Sequence, residues 1–313
     1  MQSILPTGKN LVITIDLNFM GISGAIAAYL IPHPHGAVLV ESGPGSTIPA
    51  LLAGLRAHGL TENDITDVLL THIHLDHAGA AGWLARQGAR IHVHPAGAPH
   101  LLDPQKLLNS ATRIYGDSMQ TLWGEFLPVP AERLSVVQDG EMIEIEGLYF
   151  RPIDTPGHAN HHFTFCFENV LFTGDIGGVR LAWQRYLELP MPPPELDIEK
   201  WRLSLERLGQ EDFLYIAPTH FGIYRDPDWH LAAIARALND VETWMEKTMR
   251  PGPKIEELTP MYIAWSRQRA LSQGVEPALL DTYQAANPSF MSAAGIQRYW
   301  KKHRMGRLFP TDG

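Results

Sequence analysis

The sequence holds a single cysteine, Cys166, among its 313 residues. One thiol excludes an intrachain disulfide and fits a reducing compartment. Long hydrophobic runs are also missing. The longest, AIAAYLI at 25–31, falls far short of the ~20 residues that a membrane-spanning helix needs. The opening MQSILPTGKN lacks an apolar stretch of the kind a secretory leader carries. Positive charge is scarce, with 25 Lys and Arg against 34 Asp and Glu, a net charge of −9. That disfavours general nucleic-acid binding, which needs clustered cations. No GxxxxGK[ST] is present, so SGPGS at 42–46 reads as a tight strand-to-helix turn rather than a phosphate cradle. The expectation is a cytoplasmic chain acting on a small-molecule substrate, with no nucleic acid, no membrane and homo-oligomerisation left open.

Apolar content is ample, at 45% hydrophobic residues with eight Trp and eleven Phe. The first third alternates strand and helix patterns, an α/β signature. LVITID (11–16), AIAAYLI (25–31), AVLVE (37–41), DVLLT (67–71) and RIHVH (90–94) read as strands. IPALLAGLRAHG reads as a helix with Ser46 or Thr47 as N-cap and Gly59 as its stop. A further helix is expected from Asp76 to Gly88. Residues 103–126 form a helical insertion, after which β character returns. A strand at 212–218 and a long helix at 227–249 close the pattern. RPGPK at 250–254 marks a break, dividing a catalytic domain, 1–250, from a C-terminal helical extension, 251–313.

Against that background THIHLDHAG at 71–79 is dense in metal ligands: His72, His74, Asp76 and His77. In extended backbone residues i and i+2 point the same way, so His72 and His74 can reach one ion. Asp76 and His77 sit where a helix should begin, and a helix N-terminus favours an anion such as Asp76. Four donors in six positions crowd one ion, and two adjacent ions relieve the crowding. Three later turns, each just past an apolar run, offer further donors. They are DTPGH with His158, LFTGD with Asp175 and APTHFG with His220. Donors placed at strand ends converge on one sheet edge.

THIHLDH, TPGH, FTGD and THFG, in this order over roughly residues 11–225, resemble the metallo-β-lactamase-fold hydrolases, in particular the glyoxalase II-like branch. The resemblance implies an αββα sandwich with the site at one edge. It implies that His72, His74 and His158 hold one divalent ion, that Asp76, His77 and His220 hold a second, and that Asp175 bridges them. Donors of N and O type suit Zn, with Fe or Mn as alternatives. Two such ions can share a water and lower its pKa from ~15.7 toward ~7. That implies hydrolysis by a metal-bridging hydroxide, with Asp76 orienting it, on a thioester or ester carbonyl. VESGPG departs from the family's common Asp-Thr-Gly, leaving Glu41 and Ser42 to support the ligands.

The substrate is less legible. Met119, Trp123 and Phe126, with Trp183 and Tyr186, are candidates for an apolar pocket wall, and core packing accounts for them equally well. Arg267, Arg269, Lys301 and Lys302 could meet an acidic substrate, as the C-terminal helices of the glyoxalase II family do. A lactonase or phosphodiesterase is the first alternative, although GDIGGVR lacks the Tyr that many lactonases of this fold carry after the bridging Asp. A mononuclear iron oxidoreductase, similar to persulfide dioxygenases, is the second. The remaining histidines read as structural: HPH at 33–35, HVH at 92–94, His161 and His162 at the start of a strand, and His230 on a helix surface.

Overall fold

A computed structural model describes residues 3–181 and 184–305. Twelve strands form two sheets. The first comprises β1 (Ile4–Thr7), β2 (Asn10–Asp16), β3 (Ala27–His33), β4 (Gly36–Val40), β5 (Ile65–Leu69), β6 (Arg90–Val93) and β7 (Leu134–Val136), side by side in chain order. β1 to β4 meander antiparallel, and β4 to β7 run parallel. The second sheet comprises β8 (Ile143–Ile145), β9 (Leu148–Asp154), β10 (Phe163–Phe167), β11 (Val170–Phe172) and β12 (Tyr215–Ala217). There β8 to β11 are antiparallel and β12 pairs parallel with β11. The expected αββα sandwich is the observed architecture.

The inner faces of both sheets share one apolar core. It includes Val12, Val40 and Leu69 from the first sheet and Phe150, Phe165 and Phe172 from the second. Tyr29 of β3 meets Phe172 of β11 across the gap at 5.2 Å between ring centroids. Fully apolar runs such as DVLL become central strands because both faces of a parallel sheet are covered.

The helix expected over 76–88 is broken into Leu75–Ala78 and Ala81–Arg86. The helix Ile48–Ala57 has Thr47 at its N-cap, but that side chain donates back to the Pro44 carbonyl and caps nothing. Residues 103–126 carry the helices Gln105–Tyr115 and Met119–Trp123.

The helix Pro227–Thr248 ends before the expected Pro/Gly break, and Ile255–Ser272 follows it. Beyond lie Leu280–Ala286 and Ser289–Tyr299. These C-terminal helices share a second core with the outer face of the second sheet, where Leu258, Tyr262 and Ile296 join Ile153, Leu171 and Trp201. Among the described residues no helix is long and apolar enough to cross a membrane.

Candidate metal centre

The site forms where strands of both sheets end. β4 and β5 run parallel in the first sheet, and β9, β11 and β12 share one direction in the second. Glu41 follows β4, His72 to His77 follow β5, His158 follows β9, Asp175 follows β11 and His220 follows β12. Segments scattered over 180 positions therefore open onto one edge.

All seven sequence-predicted donors meet there, in overlapping sets. His72, His74 and His158 form one, Asp76, His77 and His220 another, and Asp175 joins His72 and His77 in a third. His74 Nδ1 lies 3.0 Å from His72 Nε2 and 2.9 Å from His158 Nε2. Asp175 reaches both sets, with Oδ2 3.3 Å from His158 Nε2 and Oδ1 3.2 Å from His77 Nε2. His220 Nε2 is 3.4 Å from both Asp76 Oδ2 and Asp175 Oδ1.

The outer nitrogens of four imidazoles are held by fixed acceptors, and this sets which way their lone pairs face. His158 Nδ1 donates to the Pro190 carbonyl at 2.8 Å and His220 Nδ1 to the Ala25 carbonyl at 2.9 Å. His77 Nδ1 donates to Glu41 Oε1 at 2.9 Å. The Thr71 hydroxyl gives its one proton to Glu41 Oε1 at 2.5 Å, so at 3.1 Å it accepts from His72 Nδ1. Each of these rings thus turns its Nε2 inward.

His77 Nε2, His220 Nε2 and Asp175 Oδ1 are buried without a hydrogen-bond partner. Converging lone pairs and a carboxylate with no protein partner are stable around a cation and costly otherwise. Tetrahedral donors about 2.1 Å from one ion lie about 3.4 Å apart, close to the spacings here. The residues fit divalent metal. Donors of N and O type alone suit Zn, Fe or Mn.

Electrostatics divide the donors. His72 and His74 are held neutral. Against burial, the carboxylates of Asp76, Asp175 and Glu41 hold a proton on His77, as Asp175 and Asp76 do on His220, a proton that an ion would have to displace. Burial, followed by the neighbouring imidazoles, holds His72 and His74 well below the usual histidine range, so both stay neutral. Burial opposes ionisation of Asp76, but His77 and His220 outweigh it and bring the carboxyl to about 2. Burial likewise opposes a charge on His220, but Asp175 and Asp76 outweigh it and lift the ring to about 9.

Glu41 is the support that stands where the family commonly has Asp. Its side chain is fully buried, and its backbone sits at φ 68°, unusual for a residue with a side chain. Oε1 also accepts from Thr219 at 2.9 Å, and Oε2 accepts from the Thr71 amide at 3.3 Å. One carboxylate thereby ties the segments after β4, β5 and β12 together. Gly174 supplies the clearance next to Asp175. At its φ of 48°, an added Cβ would lie 2.5 Å from Thr71 Oγ1 and 2.7 Å from His162 Nε2. His162 directly precedes β10, as expected. It is also buried beside His72 and shares a hydrogen bond with Thr155, which fits the alternative that one of His161 and His162 supports the donors.

A cavity opens from the donors. It encloses about 900 Å³ of empty space, its mouth included, and its floor is His74, Asp76, His158 and Asp175. Of the aromatic residues expected at a pocket, Trp123 lines it. Met119 packs half-buried on the core, and Phe126 and Tyr186 are core residues that turn away from the cavity. Trp183 lies outside the described residues. Phe19, Ile26, Tyr115, the proline run 190–194 and residues 285–291 supply the rest of the wall. Ile26 and Tyr115 lie in segments read as strand and helical insertion, but nothing in their spacing marked them as facing a cavity. Burial, then the charge of Asp76, pushes the Tyr115 hydroxyl up, so it remains protonated.

The expected basic residues are elsewhere. Arg269 pairs with Asp240 at 2.9 Å and donates to the Leu187 carbonyl, and no Lys or Arg is among the described residues lining the cavity. His230 is also corrected, from helix surface to full burial, because its Nε2 donates to the Gly177 carbonyl at 2.7 Å.

Residues 22–220, more than half of the chain, match the profile of the metallo-beta-lactamase superfamily. The chain belongs to that superfamily. Among curated relatives of this metallo-beta-lactamase superfamily member is the metallo-beta-lactamase fold-containing protein ST1585 of Sulfurisphaera tokodaii. It is 31% identical over 144 residues, 45% of this chain and 54% of that protein. An atrochrysone carboxyl ACP thioesterase of Aspergillus fumigatus is 33% identical over 141 residues, 44% of this chain and 35% of that protein. The chain thus spans about half, or less, of the length of the curated relatives it matches. The solved structure of ST1585 superposes with a TM-score of 0.64 at 18% identity, over 91% of this chain and 97% of that one. TTHA1429 from Thermus thermophilus gives 0.58 at 21% identity, covering 88% of each chain.

Proposed function

We propose that the chain is a metal-dependent hydrolase acting on a thioester or ester carbonyl, with two divalent ions held at the seven donors. The observation that carries this reading is the sharing of Asp175 between the two donor sets at the floor of a mainly apolar cavity. Ions bound there supply Lewis acidity and lower the pKa of water.

The chain's own residues do the rest. Asp76 and Asp175 place negative charge on the cavity floor, where they accept hydrogen bonds from an attacking water and orient it. Glu41 and Thr71 hold His77 and His72 in the ligating tautomer. Tyr115 presents a protonated hydroxyl at the cavity wall, a donor for a substrate oxygen. The apolar wall, with no cation among its described residues, suits an uncharged acyl group better than an acidic one. A relative named as an acyl-carrier-protein thioesterase supports the choice of carbonyl chemistry.

Metal analysis of the native protein, combined with a panel of acyl thioesters, lactones and aryl phosphodiesters, tests the reading. Two ions per chain with thioester or ester turnover is the expected result. A single iron with oxygen uptake overturns it in favour of an oxidoreductase.

A further inference from the structure

A second hollow abuts the first. It has about 1060 Å³ of empty space, open mouth included, and is lined by Met20, Ile22, Ser118, Leu122, Gln284 and Phe290 among others. Six residues line both hollows: Phe19, Ile114, Tyr115, Trp123, Ala285 and Pro288. The two hollows therefore adjoin, with these side chains as the partition between them.

An aromatic rail runs through the partition. Phe19 stacks on Trp123 at 5.4 Å, Tyr115 meets Trp123 edge-on at 5.2 Å, and Tyr115 meets Phe290 at 6.2 Å. Away from the floor the charge nearly vanishes, and Asp281 is the one ionisable carboxylate among the described residues of the second hollow. In the second hollow Met20 is 61% exposed and Phe290 42%. Large apolar side chains clustered at a cavity mouth expose surface that a ligand can cover. The insertion helices and the C-terminal helices supply opposite walls, so both segments outside the metal motifs converge on one task.

We propose that the two hollows form a single acyl channel. The reacting carbonyl sits at Asp76 and Asp175, and an extended apolar acyl group runs past Tyr115 and Trp123 into the second chamber. The ligand class is a neutral, apolar acyl chain, which deepens the hydrolase reading and rests on it.

Binding is measured first, on the full-length protein stripped of metal. Methyl ketones of four to ten carbons serve as probes in titration calorimetry, since they carry a carbonyl and no charge. Burying each added methylene should raise affinity about fourfold. A bulky side chain in the second chamber, in Ser118→Trp or in Gln284→Trp on the opposite wall, should stop that rise part-way along the series. Melting curves establish which variant is folded, and either one suffices. Affinity independent of chain length, or a folded plugged variant with the wild-type profile, overturns the channel.

Thioesters of two to ten acyl carbons with one leaving group are then compared on the metal-loaded protein. A kcat/KM that climbs with acyl length is expected. One rate for all lengths overturns the channel and leaves the hydrolase standing. Length-dependent ketone binding without turnover of any thioester or ester overturns the hydrolase and keeps the channel.

Discussion

Glu41 Oε1 lies 2.9 Å from Nδ1 of His77, with both side chains fully buried. That contact makes a residue outside the ligand set responsible for how a ligand faces. The same oxygen receives the Thr71 and Thr219 hydroxyls. Glu41→Ala should therefore weaken metal binding by about 10–100-fold. It should also cost about 1–3 kcal/mol for each buried donor left unpaired. Glu41→Gln, which keeps an acceptor oxygen, should lose less on both counts. Competition with a chromophoric chelator reads the affinity, and unchanged binding in the alanine variant would remove Glu41 from the account.

Asp175 lies within 3.3 Å of a histidine from each proposed donor set. Asp175→Ala should lower metal content at both positions, whereas His74→Ala takes a donor from one set. Both variants should lose hydrolysis by about 100-fold or more while their far-UV circular dichroism stays native. Elemental analysis per chain is the direct check. Wild-type metal content in Asp175→Ala would refute the shared-carboxylate geometry.

His230 gives the fold a pH dependence away from the metal. Burial brings its ring from 6.5 to about 4, against the opposing pull of the Gly177 carbonyl. Between those values the unfolded chain binds a proton that the folded chain does not, so stability rises with pH there. The contribution is complete above about pH 6.5 and is lost as pH falls toward 4. Its size is on the order of 3 kcal/mol. In His230→Asn the slope of urea midpoint against pH should flatten over that window. An unaltered slope would show that other groups govern acid unfolding.

Gly295 tests how the C-terminal helices are docked. It lies within the helix Ser289–Tyr299, where alanine would ordinarily favour the helix by ~1 kcal/mol. Here an added Cβ would sit 1.8 Å from the Met191 carbonyl oxygen. Gly295→Ala should instead destabilise by about 1–3 kcal/mol, and the sign alone is diagnostic. Met191 follows Pro190, whose carbonyl holds His158, so metal affinity should fall as well. Thermal unfolding of the metal-free protein separates the two effects.

The convergence of the seven side chains was legible because each stands in a short turn after an apolar run. A strand that ends at a sheet edge leaves no choice about which way its turn opens. The fold class followed from the same alternation, and the strands over 11–16, 37–41 and 90–94 appear within a residue or two as β2, β4 and β6. The helix over 76–88 was read as continuous, but it is interrupted around Gly79, where an added Cβ would lie 2.8 Å from the Gly45 amide. Local periodicity carries no term for such a close approach of distant backbone.

The sequence by itself determined which donor side chains stand at the strand ends, in what order, and that no thiol is among them. Only the tertiary structure decided what surrounds those side chains. Glu41 became the hub of the ligand shell, His230 was buried, and Phe126 and Tyr186 were taken into the core while Phe19 and Tyr115 were turned to the cavity. The reason is physical. A metal ligand is specified by its donor atom and its place at a strand end, both local. A cavity wall is specified by which side chains the core leaves over when it closes, and closing the core involves every element at once.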